Sequence, residues 1–231
     1  MHSSNPSLGA FESLAGQANQ STGVMTIDGA VNKSFIMLAI LTTSAGYTWY
    51  QMTTGTGSGL ALLMLGLIGG FITALITIFR PASSPYTAPL YAILEGLVLG
   101  AVSQLMNAVY PGIVMQAVML TMGVFFLMLM AYKTGFIQAN EQFRTIIFIA
   151  TASIAFVYLV SFILRFFGTD IPMIHASGWV GIVFSLIVVG VASLNLIIDF
   201  DDIKQFSDAQ LPKYMEWYVS FSLMLTLVWL Y

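Results

Sequence analysis

At residues 60–80 the chain reads LALLMLGLIGGFITALITIFR, with no charged residue before the final arginine. This stretch belongs to an uncharged run from Ser34 to Phe79, and a second uncharged run extends from Gly96 to Tyr132. A helix of about 20 apolar residues crosses the roughly 30 Å hydrocarbon core of a bilayer, because each residue adds about 1.5 Å. These runs therefore predict helices that span a membrane.

The composition of the whole chain agrees with this prediction. Of 231 residues, 58% are apolar and 7% are charged, whereas a soluble domain carries about 25% charged residues. The alternating segments of about ten residues that are typical of a membrane β-barrel are not apparent. There is no cysteine for a disulfide or thiolate metal site, and no basic cluster that would bind nucleic acid. We expect an all-α integral membrane protein whose main partner is the lipid bilayer.

Glycine- and proline-rich linkers divide the apolar runs into seven predicted spans. The glycines of residues 55–59 interrupt the first long run, and the prolines of residues 81–85 cannot continue a helix. We predict a mobile polar tail over residues 1–30 and a seven-helix membrane domain over residues 31–231. Because the last span ends at Tyr231 without a polar flank, we expect the natural chain to continue. The spans are expected near residues 31–51, 60–80, 88–108, 112–132, 145–167, 178–199 and 214–231.

The distribution of basic residues predicts the orientation of these spans. Cytoplasmic loops of membrane proteins collect Lys and Arg. With the amino terminus inside, the outer segments carry only Arg165, and flipping the chain would reverse this asymmetry. We therefore predict a cytoplasmic amino terminus. The basic residues of the inner segments are Lys33, Arg80, Lys133, Arg144, Lys204 and Lys213.

In this orientation Arg80, Glu95, Asp199 and Glu216 are predicted to converge on the inner half of the membrane. Glu95 lies about two turns into the third span, where a carboxylate persists only beside a partner, the bundle interior or water. A role in ion or proton handling and a purely structural role, protonated or paired with Arg80, are both open. Glu216 is either a pore carboxylate or an interface residue. Small residues that would let another helix approach near Glu95 are Ala92, Gly96, Gly100 and Ser103.

Asp199 is the strongest candidate for a proton sensor, and also for a metal ligand. It follows Asn195 by one helical turn, so both side chains point the same way. Asp201 and Asp202 are expected to be supporting polar residues of a solvated helix end. Two carboxylates that lie close together in a low dielectric share a proton. We hypothesise that such a pair acts as a proton-controlled latch.

Other chemistry is not indicated by the sequence. We find no nucleophile with an adjacent base, no phosphate loop and no metal-ligand spacing, and the only histidines are His2 and His175. The expectation is therefore that the protein is not an enzyme. We expect no cofactor, apart from a calcium ion as a transported or bound species.

Several short motifs resemble the Bax-inhibitor family of seven-span membrane proteins, and in particular a bacterial branch of it. The likeness covers essentially the whole chain, and the order of the motifs along it is more specific than any single motif. In that family the sixth helix ends in an apolar run, an Asp and a polar stretch. The matching motifs lie at Ser3–Pro6, Tyr91–Gly96, Tyr110–Val114, Ala192–Ile203 and Pro212–Tyr218.

The resemblance implies a pH-sensitive calcium leak in the bacterial inner membrane, gated by a pair of aspartates on the sixth and seventh helices. Asp199 matches the first aspartate, and Arg80 matches a basic residue that latches the closed state. The second aspartate has no match, because residues 219–231 contain no acid. Glu216 or Glu95 would supply the second carboxylate, or the gating differs.

Two other functions remain open at this stage. One is a non-conducting membrane regulator that binds a protease or a stress-response partner through its tail and loops. The other is a proton-coupled cation antiporter, which would be expected to show internal repeats and broken helices. We find no convincing repeat in the sequence, so a proton-gated calcium or cation leak is the prediction.

Overall fold

The computed structural model describes residues 23–55, 58–166 and 178–231 of the chain, and it builds these ranges into seven α-helices. A 3-10 turn over Pro81–Ser83 connects the second helix to the third. The predicted all-α fold with seven helices is therefore confirmed. The helices are α1 (Ile27–Thr54), α2 (Gly59–Phe79), α3 (Ser84–Val109), α4 (Ile113–Lys133), α5 (Glu141–Phe166), α6 (Trp179–Asp208) and α7 (Met215–Leu230).

Most of these helices are long and apolar enough to cross a membrane. By length and composition, α2 to α6 meet this condition among the described helices. The apolar helix α7 is shorter, with 16 residues. Helix α1 has 28 residues but is more polar, since Asp28 and Lys33 lie in its first two turns. The chain is thus a multi-pass membrane protein.

Several helix ends differ from the predicted spans, and two of these differences have a clear local cause. Helix α1 begins at Ile27 rather than near residue 31, because the Thr26 side chain caps it by accepting a hydrogen bond of 3.0 Å from the Gly29 N–H. Helix α6 continues past Asp199 to Asp208, so Asp199 does not close it. The reason is that no Gly or Pro follows Asp199 until Pro212. Residues 1–22 of the predicted tail lie outside the described residues.

The chain divides into two compact units. Unit 1 comprises residues 1–120 and 202–225, and unit 2 comprises residues 121–201 and 226–231. Unit 1 therefore contains α1, α2, α3 and most of α7. Unit 2 contains most of α4, all of α5 and most of α6.

In unit 1, helix α3 packs closely against both α1 and α2. A Cβ atom on Gly96 would lie 2.5 Å from the Leu41 carbonyl oxygen of α1, and one on Gly100 would overlap the Ala45 backbone. The Ser44 hydroxyl donates to the Ile93 carbonyl at 2.6 Å. The predicted close approach of another helix is confirmed at Gly96 and Gly100, where that helix is α1.

In unit 2, ring contacts and one amide hydrogen bond connect α6 to α4 and α5. Phe200 of α6 lies against Phe125 and Tyr132 of α4, with ring centroids 5.5 Å and 6.1 Å away. The Asn195 Nδ2 donates to Thr151 Oγ1 of α5 at 2.9 Å. Many large apolar side chains of α4 and α5 are exposed, and a surface of this kind suits contact with lipid.

Candidate functional site

Glu216, at the start of α7 in unit 1, has hydrogen-bond partners on both of its carboxylate oxygens. Its side chain is 1% exposed. Oε1 accepts hydrogen bonds from the backbone N–H and the hydroxyl of Thr26, both at 3.0 Å. The Lys33 ammonium donates to Oε2 and completes an ion pair. A buried carboxylate is tolerated when its oxygens are satisfied in this way.

An extended segment before α1 brings Thr26 to this position. We call residues 23–26 the strap. The Met25 N–H donates to the Leu211 carbonyl at 2.8 Å, and the Lys213 N–H donates to the Gly23 carbonyl at 3.1 Å. Val24 and Pro212 therefore form an antiparallel bridge between the strap and the linker that joins α6 to α7.

Small residues let α1 and α7 approach closely beside the Lys33–Glu216 pair. A Cβ atom on Gly29 would overlap the Glu216 carboxylate, so any other residue here would displace that carboxylate from its present position. The Ser220 hydroxyl lies 2.8 Å from the Ala30 carbonyl, and the Ser34 hydroxyl lies 3.1 Å from Ser220 Oγ. The start of α7 is thus held against α1 by charge, hydrogen bonds and close packing together.

Glu95 lies deeper in unit 1, and its side chain is half-buried. The Tyr91 hydroxyl, one turn earlier on α3, forms a hydrogen bond with the Glu95 carboxylate. The carboxylate points towards α2, because a Cβ atom on Gly70 would lie 3.6 Å from Glu95 Oε2. The small residues Gly96 and Gly100 face α1 instead, so they and Glu95 contact different neighbours.

Arg80 was predicted to be the basic partner of these carboxylates. It is exposed at the end of α2. Within the described residues, no ion pair joins it to Glu95 or Glu216. The cation that pairs with Glu216 is Lys33, so the predicted contact with Arg80 is not formed in this structure, and its role as a latch stays a prediction.

Asp199 lies on α6 in unit 2, and 6% of it is exposed. Asn195, one turn earlier, is oriented by its hydrogen bonds to Thr151 Oγ1 at 2.9 Å and to the Val191 carbonyl at 3.0 Å. The predicted meeting of Asp199 with the carboxylates of unit 1 stays a prediction. Asp199 itself is a buried acid within a helix that is apolar enough to cross a membrane.

Asp201 has a well-defined structural role in unit 2. The Arg144 guanidinium of α5 forms an ion pair with Oδ2, and the Tyr132 hydroxyl of α4 donates to Oδ1 at 3.1 Å. Asp201 was expected to be a solvated end residue, but its side chain is only 17% exposed. The pair links the ends of α4, α5 and α6. Asp202, on the other side of the unit boundary, is half-buried and close enough to Tyr218 to interact with it electrostatically.

Replacing Arg144 with Met should destabilise the protein, because Asp201 would lose its cation in a partly buried position. We expect a loss of about 1–3 kcal/mol in the free energy of unfolding, between the values for exposed and buried pairs. Thermal unfolding in detergent measures this loss. The exposed Lys133→Met is the matched control, and the double variant Arg144→Met/Asp201→Asn should recover part of the loss. Equal midpoints for Arg144→Met and Lys133→Met would refute a stabilising role.

No cluster of three or more His, Cys, Asp or Glu side chains is present in the described ranges. In the described ranges, the acids on the apolar helices occur as single carboxylates with neighbouring polar groups. In unit 1 these are Glu95 and the Tyr91 hydroxyl, and in unit 2 they include Asp199.

Lys33 and Thr26 are the site residues that sequence reasoning missed. Lys33 was counted only as a basic residue of the inner side, and Thr26 was assigned to the tail. One signal was available, because Lys33 lies two turns inside α1 rather than in a loop. Its partner could not be found, since Glu216 is 183 positions away in the sequence.

The long apolar helices define a helical multi-pass membrane protein, and this one contains buried carboxylates. The chain matches the family model described as Bax inhibitor 1 like over residues 5–231, and it therefore belongs to that family. The resemblance found in the sequence motifs is confirmed. Comparison with curated proteins and with solved structures gives no significant match.

Proposed function

We propose that this protein is a proton-gated cation leak pathway, with calcium as the preferred ion and the bacterial inner membrane as its location. The observation that carries the proposal is Asp199, a buried acid on a helix apolar enough to span a membrane. Ionisable residues inside membrane helices mark ion or proton pathways by default, because keeping them there is costly. Family membership supports a membrane protein of this kind.

Proton uptake by such a carboxylate can switch the packing of its helix. The charged and neutral forms differ by a full charge in a low-dielectric surrounding, where electrostatic energies are several times larger than in water. A helix that carries the carboxylate can therefore prefer different packing in the two forms. We propose that the neutral form of Asp199 belongs to the open state.

In unit 1, we propose Glu95 as an acidic group that a permeating cation contacts. Its carboxylate lies between α3 and the Gly70 position of α2, and it accepts a hydrogen bond from the Tyr91 hydroxyl. Calcium is a hard cation that takes oxygen ligands, including carboxylates and waters. We propose that a hydrated cation exchanges water for these oxygens as it passes.

Flux through the purified protein in liposomes tests the proposal. We expect calcium entry, followed with a trapped dye, to rise about fivefold or more between about pH 8 and about pH 6, the lower end of typical coupling between two sites. Sodium and potassium are compared in the same preparation. No flux of any of the three ions above empty liposomes would refute the leak and favour a non-conducting regulator. Flux that requires an opposing proton gradient would favour an antiporter.

A further inference from the structure

We propose that the strap and the Lys33–Glu216 ion pair form a clamp that positions α7 and holds the pathway closed. This inference rests on the proposed leak function, and it assigns a role to groups that the Asp199 switch does not use. Lys33 and Glu216 act in it as positioning residues. The contacts that carry the inference all lie within unit 1.

The clamp joins three parts of the chain at one point. The strap binds the α6–α7 linker through two backbone hydrogen bonds, of 2.8 Å and 3.1 Å. Thr26, the last strap residue, binds Glu216 through its backbone N–H and its hydroxyl. Lys33 then pairs with the same carboxylate from α1, and its ammonium lies 5.6 Å from the centre of the Trp217 ring. The start of α7 is therefore held from two sides.

The clamp is expected to open as a unit rather than in parts. Glu216 is 1% exposed and Lys33 is 17% exposed, so breaking only the ion pair would leave a buried carboxylate without its cation. Such a half-open state is strongly unfavourable. Release must therefore move the start of α7 away from α1 far enough for water to reach Glu216.

Movement of α7 would reach Glu95 through two further contacts. Phe221, one and a half turns after Glu216, is 2% exposed and packs edge-on against Tyr91, with ring centroids 5.0 Å apart. Tyr91 in turn holds the Glu95 carboxylate through its hydroxyl. A shift of α7 therefore moves Phe221 away from the Tyr91 ring, which loses this packing contact. The clamp thus controls the position of Tyr91, whose hydroxyl is hydrogen-bonded to the Glu95 carboxylate.

Neutral substitutions of the ion pair test the effect on flux. We expect Lys33→Met and Glu216→Gln each to raise calcium flux at about pH 8 by about fivefold or more, a typical size for coupled conformational states. Lys33→Arg keeps a cation beside Glu216 and leaves the Thr26 hydrogen bonds intact, so its flux should stay near the wild-type value. Lys204→Met is the matched control, because Lys204 is an exposed basic residue of the same unit. Its flux should not change.

A disulfide across the strap tests the clamp without relying on flux. The chain contains no cysteine, so a single introduced pair can be followed. Val24 and Pro212 form a bridge flanked by the two backbone hydrogen bonds, a position where Cα atoms lie about 4.5 Å apart and within reach of a disulfide. Val24→Cys/Pro212→Cys should cross-link readily on oxidation, and more slowly when Lys33→Met is added. The cross-link should also lower flux at about pH 6, and a reducing agent should restore it.

These results separate the clamp from the proposed function. If the wild-type protein carries no flux, the leak is wrong, and the rate of cross-linking with and without Lys33→Met still decides whether the clamp exists. If the wild type conducts but Lys33→Met and Glu216→Gln change neither flux nor cross-linking, the clamp is overturned and the leak stands. If a neutral variant fails to fold, Lys33→Arg and the reversible disulfide replace it, because both keep the closed geometry.

Discussion

Replacing Asp199 with Asn is expected to make calcium flux independent of pH. Asn has the size of a protonated Asp and carries no charge, so it fixes the neutral form that we assign to the open state. Flux of Asp199→Asn at about pH 8 should equal that of the wild type at about pH 6, a rise of about fivefold or more. Liposome flux measured across this pH range tests the prediction.

The control for this variant lies on the same helix. Asp208 is exposed at the end of α6, so Asp208→Asn removes the same charge without changing a buried group. Its flux should follow the wild-type pH profile. If Asp199→Asn keeps that profile as well, Asp199 is not the proton-sensing group, and the proposal must pass to Glu95 or be abandoned.

Replacing Gly100 with Ala is expected to cause the largest loss of stability. The new Cβ atom would overlap the Ala45 carbonyl oxygen and lie 2.8 Å and 2.9 Å from the Ala45 carbonyl carbon and Cα. These are backbone atoms, so α1 and α3 must separate. We expect a loss of about 3 kcal/mol, at the upper end for overpacked cores, and hence a midpoint of thermal unfolding lowered by roughly 6–12 °C.

Gly46→Ala in α1 is the matched control for Gly100→Ala. A Cβ atom on Gly46 would meet nothing within 4 Å. Both changes replace a helical glycine with alanine, which favours the helix by about 1 kcal/mol in soluble hosts. The difference between the two variants therefore reports the contact between α1 and α3. Equal midpoints in detergent would show that the two helices are not packed this closely.

Helix α3 combines close helix packing with an acidic side chain. Its Gly96 and Gly100 face α1, while its Tyr91 and Glu95 meet α7 and α2. The same helix thus packs against its neighbours in unit 1 and carries a half-buried carboxylate. This explains why small residues and an acid alternate over a short part of the third span.

The amino-acid sequence by itself determined the number, type and approximate position of the helices. A long uncharged run in a bilayer forms a helix, because the helix satisfies the hydrogen bonds of its own backbone N–H and C=O groups. Gly and Pro mark the ends of these helices. It also identified Asp199, Glu95 and Glu216 as unusual, because an acid beside an apolar run needs a specific reason. The end of α6 was placed too early, because charged residues were taken to end the helix although none of them breaks one.

Only the tertiary structure decided which groups pair. Arg80 was expected to pair with the acids, but it is exposed, and Lys33 of α1 holds Glu216 of α7. The strap and the position of Thr26 depend on backbone hydrogen bonds to the α6–α7 linker. Such contacts join residues about 190 positions apart. They follow from how helices pack and not from periodicity, because a sequence pattern records only what lies within a few turns.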